Sequence, residues 1–230
     1  MSREKASTRK APARRAPLNR DRVLRAAVRL ADKGGLESVS MRQLAQALGV
    51  EAMSLYNHVA DKEDLLGGMV DIVVAEIELP AIGTPWKEAM RKRAISAHAV
   101  FLGHPWAAMR VVSGFNAGPA MLRYIDTTIG CLHEAGFSYE QADHARNAID
   151  SHIFGFTLQE LNFPLKRSEY AETAAEHLPQ LPAEEYPYMR ALAEQLIQGL
   201  YNGVHDFEFG LDLILDGLER RLARKSALER

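Results

Sequence analysis

Between Asn19 and Ile77 the apolar residues fall into four short helical groups, and the capping and turn residues between them constrain the fold more than any other feature of the chain. Val23, Ala26, Ala27, Leu30 and Ala31 recur at helical spacing, and Gly34-Gly35 supplies the left-handed backbone freedom that ends a helix. Ser40-Met41-Arg42-Gln43 has capping-box form, in which the Ser40 hydroxyl accepts a backbone N–H and Gln43 reaches back. Leu44, Ala45 and Leu48 supply the apolar face behind it. Gly49 permits a tight turn, and Val50, Leu55 and Val59 anchor a short third helix whose other face shows Ala52, Ser54, Tyr56, Asn57 and His58. Asp61 caps a fourth helix, which repeats Leu65, Leu66, Met69, Ile72, Val73 and Ile77 before Pro80 ends it. The turn between the second and third groups is that of a helix-turn-helix.

Charge is divided along the chain. The overall balance of −2 hides a front end, residues 1–62, with 13 Lys/Arg against 6 Asp/Glu, net +7, and a remainder with 15 against 24, net −9. A basic front suits a polyanion such as DNA, and an acidic remainder resists nonspecific sticking to it. With 230 residues, 47% of them apolar, the chain is long enough for a small domain and a larger one with its own core. Cys131 is the single cysteine, so no intrachain disulfide and no Cys-based zinc site can form. No apolar leader is visible and the longest apolar runs fall short of a membrane span, so a soluble cytoplasmic protein is expected. Residues 1–17, with six Lys/Arg and two prolines, are expected to be a flexible basic arm that follows phosphates, enters a minor groove or only solubilises the chain.

Beyond Pro80, helices are expected at 85–102, 105–113, 117–135, 138–162, 185–202 and 207–225, the first opened by Thr84 as N-cap and Pro85 as first helical residue. No useful strand alternation occurs, so the expected fold is all-α. Residues 163–184, with Pro164, Pro179, Pro182 and several acids, read as a long mobile connection with a role in ligand access.

The run Arg25-Ala26-Ala27-Val28-Arg29-Leu30, Ser40-Met41-Arg42-Gln43-Leu44-Ala45, Leu48-Gly49-Val50, Ser54-Leu55-Tyr56-Asn57-His58-Val59, Lys62 and Leu65-Leu66 resembles the tetracycline-repressor family of transcriptional regulators. Trp86, His104 and Gly136-Phe137-Ser138 extend the similarity more thinly into the rest of the chain. The resemblance implies a helix-turn-helix DNA-binding domain over 18–64 and a ligand-binding and dimerisation domain over 65–230, with the fourth helix as linker. It places DNA contacts at Ser40, Arg42, Ala52, Met53, Ser54, Tyr56, Asn57, His58 and Lys62. The fork of Arg42 suits the two acceptors of guanine, Asn57 suits adenine, and Lys62 at a helix start suits phosphate. Ala52 and Met53 lack hydrogen-bonding side chains, so readout there is apolar or absent.

The helix from Ser138 is apolar on two faces, Ile149, Ile153 and Phe156 on one and Phe154, Leu158 and Leu161 on the other. The last helix offers Phe207, Leu211, Ile214, Leu215, Leu218 and Leu222 at near-heptad spacing, so a two-fold four-helix dimer contact is expected, an intramolecular core being the alternative. An effector pocket is expected among His98, Phe101, Leu102, His104, Trp106, Met109, Met121 and Phe154, with Arg110, Asn147 or Asp150 as polar anchors; plain core is the alternative for each. Where the family's tetracycline binder carries a histidine, an asparagine and a phenylalanine, ungapped matching finds Glu78, Arg93 and Ala97, leaving only His104, so tetracycline is not the expected effector. No cofactor, metal site or catalytic residue is expected. A helical-bundle metalloenzyme is the main rival, but no histidine has Glu three residues before it, and no Gly-x-Ser-x-Gly, phosphate loop or His-Glu-x-x-His occurs. A DNA-binding protein without effector is the third reading. The expected partners are therefore an operator duplex, a small-molecule effector and a second copy of the chain.

Overall fold

The computed structural model describes residues 17–81, 83–114, 117–201 and 206–228. All of the expected N-terminal arm but Pro17 lies outside the described residues. Among those described the fold is all-α, with no strand. The helices are α1 (Arg20–Gly34), α2 (Met41–Leu48), α3 (Ala52–Leu55), α4 (Lys62–Val74), α5 (Trp86–Gly103), α6 (Pro105–Ser113), α7 (Pro119–Glu134), α8 (Tyr139–Asn162), α9 (Tyr170–His177), α10 (Pro187–Ile197) and α11 (Phe207–Leu228).

Local chemistry sets the boundaries. The Asn19 side chain caps α1 by accepting the Arg22 N–H at 2.8 Å, and Gly35, at φ 71°, closes it by donating its N–H to the Ala31 carbonyl. Ser40 caps α2 through the Gln43 N–H, but its hydroxyl then donates to the Gln43 side-chain oxygen, so the expected capping box is only half formed. A complete box opens α8 instead, between Ser138 and Gln141. Gly49 takes the left-handed conformation between α2 and α3, and Asp61 caps α4. At α5 the start is one residue later than expected, with Pro85 as the cap.

Val23, Ala27, Leu44, Leu55 and Leu65 bury fully where α1, α2, α3 and α4 meet, closing a small head. The apolar face of α4 then runs on through Met69 and Val73, with Ile77 buried just beyond its end, into the body, where α4 touches α5, α6 and α7. In the body α5 and α8 pack together, α7 and α6 lie against α8, and α11 lies across both α5 and α8.

Two expectations are corrected here. Residues 163–184 are not a structureless connection, because Tyr170–His177 forms α9, flanked by single 3-10 turns and packed on α10. The prolines bound this helix rather than break it, and Ala171, Glu172, Ala174, Ala175 and Glu176 between them are good helix formers. The stripe on α11 is also partly spent within its own chain, with Ile214, Leu218 and Leu222 left half-buried. Phe207, Leu211 and Leu215 are buried within the same chain, as are Ile149 and Ile153 on α8, while Phe154 packs on Phe101. Heptad spacing does not distinguish an own-chain seam from a subunit seam. The exposed residues on these helices include Ala148, Ser151, Gly155 and Gln159 along one side of α8, and Phe209 and Leu213 on α11.

Candidate nucleic-acid interface and effector core

Helix α3 is short, and Leu55 and Val59 pin it and its following turn to the head. This leaves Met53 (76% exposed), Tyr56 (48% exposed) and Asn57 facing solvent. The Ser54 hydroxyl donates to the Glu51 carbonyl at 2.6 Å, so its first commitment is local. Ser40 and Arg42, exposed at the start of α2, and Lys62, exposed at the start of α4, present two positive helix ends on elements adjoining α3. Ala52 and His58 are half-buried between these groups.

The turn after α3 is held from behind by a pair that sequence reasoning missed. Arg20 of α1 donates to the His58 carbonyl at 2.9 Å and, with two nitrogens, to Asp64 of α4 at 2.8 and 2.6 Å. Asp64 also accepts the Ala60 N–H. Together the Arg20 guanidinium and that N–H hold the Asp64 carboxyl at about 2, below its ordinary 3.8. The partners stand 44 residues apart, so no local pattern signals them.

The interior candidates divide. Phe101, Met121 and Asp150 are buried, and Leu102, Phe154 and His98 partly so. The His98 ring contacts the Thr157 hydroxyl at 2.8 Å and stacks on Phe207 at 4.2 Å; burial is the main cause that lowers its pKa. Five candidates lie elsewhere. His104 and Trp106 both turn to Asp32 of α1, with Nδ1 at 2.7 Å and Nε1 at 2.8 Å, and His104 Nε2 lies 3.3 Å from Glu76. They join body to head, and Trp106 is itself buried in the core. Arg110 pairs with Glu63 of α4, Met109 is exposed, and Asn147 is exposed and donates to Asp143. Helical spacing alone did not separate the inner faces of α6 and α8 from their outer ones.

Around Asp150 stands a buried polar cluster. Its Oδ1 accepts from Arg93 Nη1 at 2.9 Å and from the Tyr124 hydroxyl at 2.8 Å, and its Oδ2 accepts from Arg146 at 3.2 Å. Arg93 lies over the Tyr124 ring, 4.8 Å from its centroid, and burial pushes the tyrosine hydroxyl far above its ordinary value. Arg93 is fully buried, on the face of α5 that also carries Met90, Ala94 and Ala97.

Residues 23–69 match the family described as bacterial regulatory proteins of the tetR family, and residues 79–222 match the tetracyclin repressor-like C-terminal domain. The chain belongs to the TetR family. The HTH-type transcriptional repressor DrrR1 of Streptomyces coeruleorubidus is 33% identical to it, over 90% of this chain and 80% of that protein. The class D tetracycline repressor protein of Escherichia coli is 28% identical, over 87% and 94%. Among solved TetR-family structures, ActR of Streptomyces coelicolor in complex with actinorhodin superposes with a TM-score of 0.76 at 28% identity, covering 88% of this chain and 96% of that one. In TetR terms, the matched head contains every expected DNA-facing residue, and the matched body contains the Arg93–Asp150 cluster. No helix among the described residues is long and apolar enough to cross a membrane.

Proposed function

We propose that this chain is a cytoplasmic, ligand-responsive repressor that binds a palindromic operator as a homodimer and leaves it when a small molecule occupies the body. The observation that carries this reading is the double anchorage of α4. At its head end Asp64 is tied through Arg20 to the turn after α3, and further along Asp71 holds the backbone of α7 while Glu76 meets His104. A shift of the body relative to the head is therefore passed to the recognition helix through α4. A difference in effector affinity between two spacings worth about 1–3 kcal/mol changes operator binding severalfold to about a hundredfold.

In this reading Arg42, Tyr56 and Lys62 hold the duplex, Asn57 and His58 reach base edges, and Met53 meets thymine methyl groups. Two copies join through the exposed small-residue face of α8 beside Phe209 and Leu213 of α11. The names of the relatives support repression and small-molecule control, since DrrR1 is called a repressor and ActR is seen with actinorhodin. The test is to incubate purified protein with sheared DNA of its own host and sequence the retained fragments. Strong enrichment of a few loci is expected, and even coverage contradicts the reading.

A further inference from the structure

Outside the helical core, a groove of about 680 Å³ lies between α7 and the connection that leads from α4 into α5. Pro80, Pro85 and the half-buried Trp86 form one wall. The Trp86 ring meets Phe137 edge to face at 5.2 Å, which holds it in place. The other wall is the outer side of α7. Tyr124, Thr128 and Leu132 bury the inner side of that helix in the body, so Asp126, Gly130 and Glu134 stand on the side turned away from it.

These three residues recur every fourth position as acid, glycine, acid, which sets them in one row along the helix. The helix rises about 6 Å over four residues, so each carboxylate is rooted about one turn from Gly130. A β-carbon on Gly130 meets nothing within 4 Å, so the gap between the two acids is open. The charge of the groove is one-sided. No Lys, Arg or His lines it, and among the described residues neither Asp126 nor Glu134 has an ion-pair partner. Lys87, beside Trp86, is engaged by Asp216 and Glu219 of α11 at 2.8 and 2.6 Å. Burial, and after it the Glu134 charge, pushes up the thiol of Cys131, which lines the same groove.

We infer that this groove is a ligand site separate from the helical core, and that it takes an organic cation. An ammonium group sits over Gly130 between Asp126 and Glu134, and the aromatic or aliphatic remainder lies against Trp86 and the two prolines. Two carboxylates and an indole ring both favour a cation there. A neutral molecule of the same shape keeps only the apolar wall, and an anion is repelled. The site stands whether or not the body also holds an effector inside it.

The experiment uses the full chain labelled with 5-fluorotryptophan. Trp86 and Trp106 are the only tryptophans, so two fluorine resonances arise, and that of Trp86 is assigned by its loss in Trp86→Phe. Benzyltrimethylammonium is titrated to about 20 mM, against benzyl alcohol and benzoate, a range that captures millimolar binding. A saturable shift of the Trp86 resonance with the ammonium alone is expected, while Trp106 stays in place. The double variant Asp126→Asn, Glu134→Gln is expected to bind at least about tenfold more weakly, and Gly130→Leu, which fills the gap, to lose the response. Circular dichroism confirms that each variant folds; should Gly130→Leu fail to fold, the double variant, altered only at exposed side chains, decides alone. No saturable shift, an equal shift with benzyl alcohol, or unchanged binding in the double variant overturns the inference. A Trp86 signal that moves with protein concentration alone marks the groove as a contact between copies and overturns it as well.

Discussion

The carboxylate of Asp71 on α4 accepts the backbone N–H of Ala120 at 2.9 Å, and the same oxygen takes the N–H of Met121 at 3.1 Å. A side chain from the helix that leaves the head thus caps the N-terminus of α7, whose own preceding residue, Gly118, provides no side-chain cap. Asp71→Ala is expected to lower stability by about 1–2 kcal/mol, as loss of a helix cap does. It is also expected to reduce effector-driven release more than unliganded operator affinity. Urea unfolding and operator titrations with and without effector check both. Gly118→Ala should resemble it, because a β-carbon there collides with the Asp71 carboxylate.

Gly67 and Gly68 stand side by side in α4, between the Asp64 anchor to α1 and the Asp71 anchor to α7. Their surroundings differ. A β-carbon at Gly67 meets nothing, whereas one at Gly68 falls 2.8 Å from both methyls of Leu24. Gly67→Ala is expected to stabilise the protein by roughly 0.5–1 kcal/mol through helix propensity. Gly68→Ala is expected to destabilise it by about 1–3 kcal/mol through overpacking. Since glycine pairs are where helices bend, Gly67→Ala should also blunt release by effector while leaving operator affinity intact. Thermal unfolding with paired operator titrations tests this, and an unchanged response would remove the bend from the mechanism.

Acid weakens the head in a defined window. Asp64 is held at about 2 against an ordinary 3.8, so its contribution is complete above about pH 4 and is lost as pH falls through 2. Arg20 and Asp64 are 46% and 33% exposed, so solvent screening limits that contribution to about 1 kcal/mol or less. The stability gap between the wild type and Asp64→Asn, followed by circular dichroism, is expected to stay flat from pH 7 to 5 and to shrink below about 4. A gap that persists to pH 2 would mean that the ion pair is not its source.

For the DNA face, Lys62→Ala is expected to weaken binding to all duplexes alike and to reduce the salt slope by about one unit. Asn57→Ala should cost about 1–3 kcal/mol on the selected site and relax preference at one adenine. Fluorescence anisotropy over a salt series separates the two patterns. Identical behaviour of the two variants would contradict the assignment of Asn57 to a base.

The head was legible because its information is local. Ser40, Gly49 and Asp61 each act within four residues of where they stand, and the structure finds them at those boundaries. The body was less so. Pro164, Pro179 and Pro182 concealed α9 because proline marks the ends of a helix as readily as it interrupts one. The α11 stripe was read as a subunit seam because Phe207, Leu211 and Leu215 have the same spacing in either setting. Arg93 was noticed only as a departure from the asparagine of the tetracycline binder, and its burial shows only once Tyr124 and Asp150 are in place around it. His104 and Trp106 were read as pocket wall because Asp32, their partner, lies more than 70 residues earlier.

The central claim is that two copies of the α3 surface read one duplex together. Selection of bound sequences from random duplex DNA by the purified full chain, alongside its mass in solution, measures this most directly. A dimer that enriches a palindrome with half-sites about one helical turn, roughly 34–36 Å, apart is the expected result. A monomer that binds every duplex with the same low affinity at physiological salt would contradict it.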